Sequence, residues 1–171
     1  MKILMVSTDR KIFEEGSAVR DRMVEYGAIA EELHIVVFST GKIADVDKLA
    51  KNVWAYGTNS TTKLSYIFDA RSMGVKIIER IPDKNWVVSA QDPFETGLAG
   101  FLISKKTNTG FHVQIHTDFL SPYFKRLSIL NRIRVFLARF VIPRAMAIRV
   151  VSERIKDSIV RELNIHNFID C

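Results

Sequence analysis

The 171 residues are 47% apolar, enough to bury the core of one domain, and no linker-like stretch divides them. The longest apolar runs are strand-sized or broken by charge and residue 2 already starts a strand, so neither a spanning helix nor a signal peptide is expected and the chain reads as cytoplasmic. The single cysteine, Cys171, excludes an internal disulfide framework and any Cys-based zinc site.

The net charge of +6 is confined to one stretch. Residues 119–152 hold Lys125, Arg126, Arg132, Arg134, Arg139, Arg144 and Arg149 with no acid, whereas the rest of the chain has 18 basic against 19 acidic residues. The excess therefore marks a specific anionic contact surface rather than a generally basic protein.

In chain order, residues 2–7 form the near-continuous apolar run of a strand buried on both faces, and Val19, Met23, Tyr26 and Ala30 then recur at helical spacing. Residues 34–40 read as a second strand, 45–50 as a short helical piece and 52–58 as a third strand. Thr61 or Thr62 is positioned to cap a helix carrying Leu64, Ile67 and Phe68, weakened at Gly74 and stopped by Pro82. A fourth strand over 86–91 is followed by Asp92-Pro93 and a helix over about 94–105, and a fifth strand covers 111–117. After Ser121-Pro122 an amphipathic helix runs to about Val141, then a sixth strand over 147–152 and a helix over 153–163. Residues 167–170 read as a strand or connector. Alternating strands and helices imply an α/β, Rossmann-like, doubly wound fold: a mainly parallel sheet of six or seven strands with helices on both faces, all in one domain over 1–171.

In such a sheet the carboxyl-end loops share a rim, and helix N-termini there present unpaired N–H groups to anions. The first loop ends at Gly16-Ser17, a candidate phosphate-sized turn, although the glycine is also explained by the turn itself. The dinucleotide fingerprint Gly-x-Gly-x-x-Gly is absent after this strand, and no P-loop motif occurs. The same rim gathers Gln91-Asp92, His116-Thr117-Asp118 and Ser152-Glu153. Each has a plainer role available, Ser152 as a helix cap, Glu153 as a first-turn acid and Asp92 as a turn residue. His112 and His116 lie roughly 13 Å apart along one strand, too far to share a metal ion, and no metal site is expected. His116, at the strand's end, is placed to hydrogen-bond a hydroxyl or phosphate, while His112 near its start reads as structural.

In the basic helix, Ile129, Ile133, Phe136, Leu137 and Phe140 share a face expected to pack on the sheet, with Arg132 and Arg139 opposite. Those arginines are either a solvated back or a contact for anionic headgroups, each worth ~1 kcal/mol at an anionic bilayer. The second reading makes the protein peripheral on the inner face of the membrane. No recognised nucleic-acid motif accompanies the charge, and no nucleic-acid partner is expected.

Residues 1–7, the loop ending Gly16-Ser17, and residues 88–94, 113–118 and 150–153 together resemble, across nearly the whole chain, the amino-terminal domain of a family 4 (group 1) glycosyltransferase. The resemblance implies a GT-B enzyme: two Rossmann-like domains facing a cleft, the first largely holding the acceptor and the second the nucleotide-sugar. It implies that Gly16 and Ser17 lie by the donor diphosphate, that His116 contacts the reacting sugar or acceptor, and that Asp92, Thr117, Asp118, Ser152 and Glu153 line the cleft. It also implies retaining transfer of a hexose to a glycan or lipid-linked hydroxyl, without metal or cofactor, the nucleotide-sugar being a co-substrate. Such chemistry needs a departing diphosphate and an oxocarbenium-like sugar stabilised by backbone groups and cations. The chain departs from the pattern in having Ser17 where the family often has a second glycine. The nucleotide-sugar domain is absent from the sequence, so the domain is expected to be inactive alone. A stand-alone α/β module binding a small anionic ligand at the same rim is the alternative.

Overall fold

The computed structural model describes residues 1–41, 43–81 and 85–165 and the backbone of 169–170. The expected stop at Pro82, the thiol of Cys171 and residues 167–168 of the final segment lie outside the described residues. The strands are β1 (Lys2–Ser7), β2 (Glu32–Val37), β3 (Asp47–Ala50), β4 (Val53–Gly57), β5 (Trp86–Ala90), β6 (Gly110–Ile115), β7 (Ala147–Val150) and β8 (Ile169–Asp170). The α-helices are α1 (Ala18–Gly27), α2 (Tyr66–Arg80), α3 (Glu95–Thr107), α4 (Pro122–Leu127), α5 (Ile129–Val141) and α6 (Glu153–Leu163).

The sheet order is β3-β4-β2-β1-β5-β6-β7-β8, with every pair parallel except β3–β4. From β1 the chain first winds outward through β2 to β4, then returns to the other side of β1 and winds through β5, β6 and β7. Right-handed crossovers in opposite directions put helices on opposite faces. Accordingly α1 packs against β2, β3 and β4 through Met23, Val19 and Tyr26. The opposite face is covered by α2, α3, α5 and α6, whose Ile77, Ile103, Val135 and Ile159 join a core with Leu4, Val88 and Val113. The direction reverses between β1 and β5, so the loops at their carboxyl ends diverge and leave a crevice.

The α/β doubly wound, mainly parallel reading holds, although the sheet has eight strands among the described residues where six or seven were expected, and two elements need correction. Residues 45–50 are not helical: 47–50 form β3, an antiparallel edge strand pinned to α1 by the Arg20 Nη1–Asp47 Oδ2 ion pair at 2.6 Å. Four residues are too few to sustain a helix nucleus, whereas pairing with β4 satisfies their backbone at once.

The second correction concerns the basic segment. It breaks at Ser128, which is extended (φ −165°, ψ 160°) and whose Oγ accepts from the Asn131 N–H to cap α5. The helix is also rotated from the expected face. Val135, Ala138 and Val141 are buried, while Ile129, Ile133 and Phe136 are 75%, 51% and 71% exposed. Phe140 is more than a third exposed, and Leu137 is half-buried. Two contacts fix this rotation. Arg134 Nε reaches both carboxylate oxygens of Glu95 on α3, at 3.0 and 3.1 Å, with its guanidinium over the Phe94 ring. Val141 Cγ1 lies 3.0 Å from where a Cβ on Gly97 would stand, so the small residues face α3.

Gly74, read as a weak point of its helix, is a close-approach site. A Cβ there would lie 2.6 Å from Ile103 Cδ1 and 2.9 Å from Leu4 Cδ2, so its absence lets α2 settle onto α3 and β1.

Candidate functional site

The loop after β1 is held rigidly. Ser7 Oγ donates to Gln91 Oε1 at 2.5 Å and accepts from the Asp9 N–H at 3.0 Å, tying the ends of β1 and β5 together across the switch point. Arg10 reaches back to the Phe38 carbonyl and the Tyr66 hydroxyl, each at 3.2 Å. Gly16 follows with φ +73°, a left-handed conformation that glycine adopts at little cost, and nothing lies within 4 Å of where its Cβ would be. Ser17 caps α1: its Oγ donates to the Lys11 carbonyl at 2.5 Å and accepts from the Arg20 N–H at 3.2 Å.

Beside this loop a cavity of about 430 Å³ opens on the rim, reached by the ends of β1, β5, β6 and β7 and by one side of α1. Asp92 and His116 both line it, so two of the expected site residues come together. Gly16, Ser17, Thr117, Asp118, Ser152 and Glu153 are not among its lining residues. Asp118 instead pairs with Arg154 at 3.6 Å, which brings it beside the start of α6, and Glu153 pairs with Lys156 at 3.4 Å. Ser152 sits at the N-cap position of α6 without a side-chain capping bond.

Asp92 has a structural task as well. Its Oδ1 accepts from the Phe94 N–H at 2.8 Å, and its backbone N–H donates to Thr96 Oγ1 at 3.1 Å, shaping the turn into α3. Burial raises its pKa, against the opposing effect of the Phe94 N–H and the Thr96 hydroxyl. His116 has no hydrogen-bond partner among the described residues, leaving both ring nitrogens available to a ligand. Its pKa is lowered, first by the surrounding protein and then by the guanidinium groups of Arg149 and Arg22, so the ring is neutral at neutral pH.

Sequence reasoning missed Arg22, Tyr26, Gln114 and Arg149, which complete the cavity wall with Thr8, Met23 and Gln91. For two of them a signal existed. Gln114 stands between Val113 and Ile115, and Arg149 between Ile148 and Val150; the two pair in register on β6 and β7. A polar side chain in the middle of an apolar strand marks a place where one sheet face is not covered. Among the described residues no three His, Cys, Asp or Glu side chains gather as metal ligands would.

No protein-family model matches the sequence, and no curated protein matches it by sequence. Solved structures do match the fold. The lipopolysaccharide outer core galactosyltransferase WaaB is 15% identical, with a TM-score of 0.64 over 100% of this chain and 45% of its own. The UDP-GlcNAc 2-epimerase of Methanocaldococcus jannaschii is 16% identical (TM-score 0.59), covering 99% of this chain and 44% of its own. A UDP-N-acetylglucosamine 2-epimerase from Rickettsia bellii, 8% identical, gives the same TM-score and coverage. The chain thus has the Rossmann-like fold of one part of these proteins and spans less than half their length.

Proposed function

We propose that this chain is the acceptor-side half of a GT-B glycosyltransferase, which moves a sugar from a nucleotide-sugar to a hydroxyl acceptor. The observation that carries the reading is the rim cavity at the β1–β5 switch point, where a neutral His116, without a partner among the described residues, faces Asp92, Gln91 and Gln114. The fold likeness supports it, since one neighbour's name specifies galactosyl transfer and two specify UDP-GlcNAc. In this reading His116 hydrogen-bonds the reacting sugar or acceptor hydroxyl, and the open space at Gly16, with Ser17 and the start of α1, admits the donor diphosphate. Asp92, Thr117, Asp118, Ser152 and Glu153 line the cleft toward a second, nucleotide-sugar-binding domain. Transfer is of the retaining, metal-free type that the family-4 resemblance implies.

The same reading includes a membrane surface that presents a lipid-linked acceptor. Arg132 is exposed and has no ion-pair partner among the described residues. Arg139 pairs with Glu162 at 3.3 Å, but both side chains are more than a third exposed, so solvent weakens the pair and leaves the arginine free to exchange it for a headgroup. Among the described residues no helix is long and apolar enough to cross a membrane, so the contact is peripheral.

The test compares two proteins. The 171-residue chain alone should turn over no nucleotide-sugar, while a version joined to a nucleotide-sugar-binding second domain should. In the joined protein, His116→Ala should cut turnover at least 100-fold without changing the melting temperature, because the ring bonds to no other described residue. Unchanged turnover in that variant removes His116 from the site. Arg22 and Arg149, unpaired among the described residues, favour a second reading, a stand-alone binding module for a small anion. Tight, saturable anion binding by the 171 residues, with no transfer in any joined form, selects it.

A further inference from the structure

Among the described residues, α1 packs over β2, β3 and β4 on its face of the sheet. Beside it, over β1, β5, β6 and β7, a second cavity of about 360 Å³ lies against the side of α1. It adjoins the rim cavity, sharing Tyr26, Gln114 and Arg149 with it, so the two form one groove along the strands.

Polarity along this groove changes in one direction, and the register shows why. Near the amino ends Ile3 pairs with Val87, and Val87 with Gly110. One step along, Met5, Ser89, His112 and Ala147 stand side by side. There Ser89 Oγ and His112 Nδ1 bond to each other at 2.9 Å and Ser89 Oγ accepts from Gln114 Nε2 at 3.4 Å, which occupies the hydroxyl and one of the two ring nitrogens. At the carboxyl end come Gln114 and Arg149, with Arg22 facing them from α1. Neither Arg22 nor Arg149 has an ion-pair partner among the described residues. Asp92 is the one acid lining the rim cavity, and its Oδ1 is occupied by the Phe94 N–H. The groove therefore offers two free guanidinium groups at one end and an apolar floor at the other.

We propose that this groove binds a phosphorylated amphiphile, with its phosphoryl group between Arg22 and Arg149 beside His116 and its apolar segment over Ile3, Val87 and Met146. The assignment rests on the transferase reading and deepens it, giving the acceptor a chemical class. Paired guanidinium groups match phosphate oxygens in charge and geometry. A neutral imidazole adds a hydrogen bond without competing for the anion. The apolar floor then selects among phosphates, since each methylene leaving water improves affinity about fourfold.

The experiment titrates the 171-residue chain by calorimetry with inorganic phosphate, with decyl phosphate below its micelle concentration, and with UDP. Decyl phosphate should bind at least tenfold more tightly than phosphate. Arg22→Gln with Arg149→Gln should weaken both by about tenfold or more. Met146→Glu, at a side chain 56% exposed, should weaken decyl phosphate alone. Equal affinity for the two phosphates, or indifference to the arginine pair, overturns the proposal. So does UDP binding more tightly than decyl phosphate with the same arginine dependence, which would assign the cations to a donor diphosphate. The two readings fail separately. Arginine-dependent amphiphile binding with no sugar transfer by the joined protein sinks the transferase and keeps the groove; transfer to a tail-less, phosphate-free acceptor does the reverse.

Discussion

The rotation of α5 makes a prediction that the charge alone does not. Ile133 and Phe136 point outward, 51% and 71% exposed, and at about 3.6 residues per turn Arg132 and Arg139 stand at the edge of that stripe rather than opposite it, so a bilayer surface can take both the apolar side chains and the cations. Full burial of such side chains is worth roughly 1.5–3 kcal/mol each. Scaled by the exposed fractions, and halved for an interface that covers only one side, the pair contributes about 1–2 kcal/mol. Ile133→Ser with Phe136→Ser should therefore weaken partitioning onto vesicles of mixed anionic and neutral phospholipid roughly 5- to 30-fold in co-sedimentation. Neutralising Arg132 and Arg139 should cost a similar ~1–2 kcal/mol, and only that loss should shrink as salt is raised. Folding should barely notice the serines, whereas Val135→Ala, one residue away but buried, should cost roughly 2 kcal/mol of stability. If the serine pair bound vesicles as the parent does, the exposed face would have no membrane role. If the parent bound neutral and anionic vesicles equally, the arginines would have none.

Three further outcomes test the fold. His34 is buried, with Nε2–H donating to Glu32 at 3.1 Å and Nδ1 accepting from the Tyr56 hydroxyl at 2.8 Å, and burial lowers its pKa. The unfolded chain then binds the proton more readily, so stability should be full above about pH 6.5 and fall as pH drops toward the folded value; urea unfolding of His34→Gln should show a shallower pH dependence. His112 and His116 shift in the same direction and leave that variant some slope. Gly74→Ala gains about 1 kcal/mol of helix propensity but drives a methyl into Ile103 and Leu4, so a net loss of about 1 kcal/mol is expected in chemical denaturation. Asn52 Nδ2 donates to the carbonyls of Gly27, Ala30 and Glu31 at 2.8–3.3 Å, and Asn52→Ala should cost roughly 1–2 kcal/mol by the same measurement.

What the sequence discloses follows from how each element is constrained. The central strands were legible because burial on both faces demands unbroken apolar runs, as in 2–7 and 86–90, and the rim residues because polar side chains end those runs. The edge strand β3 was not, because four residues carry no period, and its state is decided by β4 beside it and by Arg20 on α1. Gln114 and Arg149 were visible as interruptions, but their meaning depends on which face the helices leave open, and that is set by the crossover directions of the whole chain. The basic helix fails for a different reason. Its stripe at 129, 133, 136, 137 and 140 and its stripe at 135, 138 and 141 are both apolar, so hydrophobic periodicity does not choose between them. Close approach chooses: Gly97 admits Val141, Glu95 captures Arg134, and the larger side chains are turned outward. A helix whose bulky residues are outside while its small ones fill the core carries an exposed apolar face, and the vesicle measurements above test whether that face and the cations at its edge meet an anionic surface.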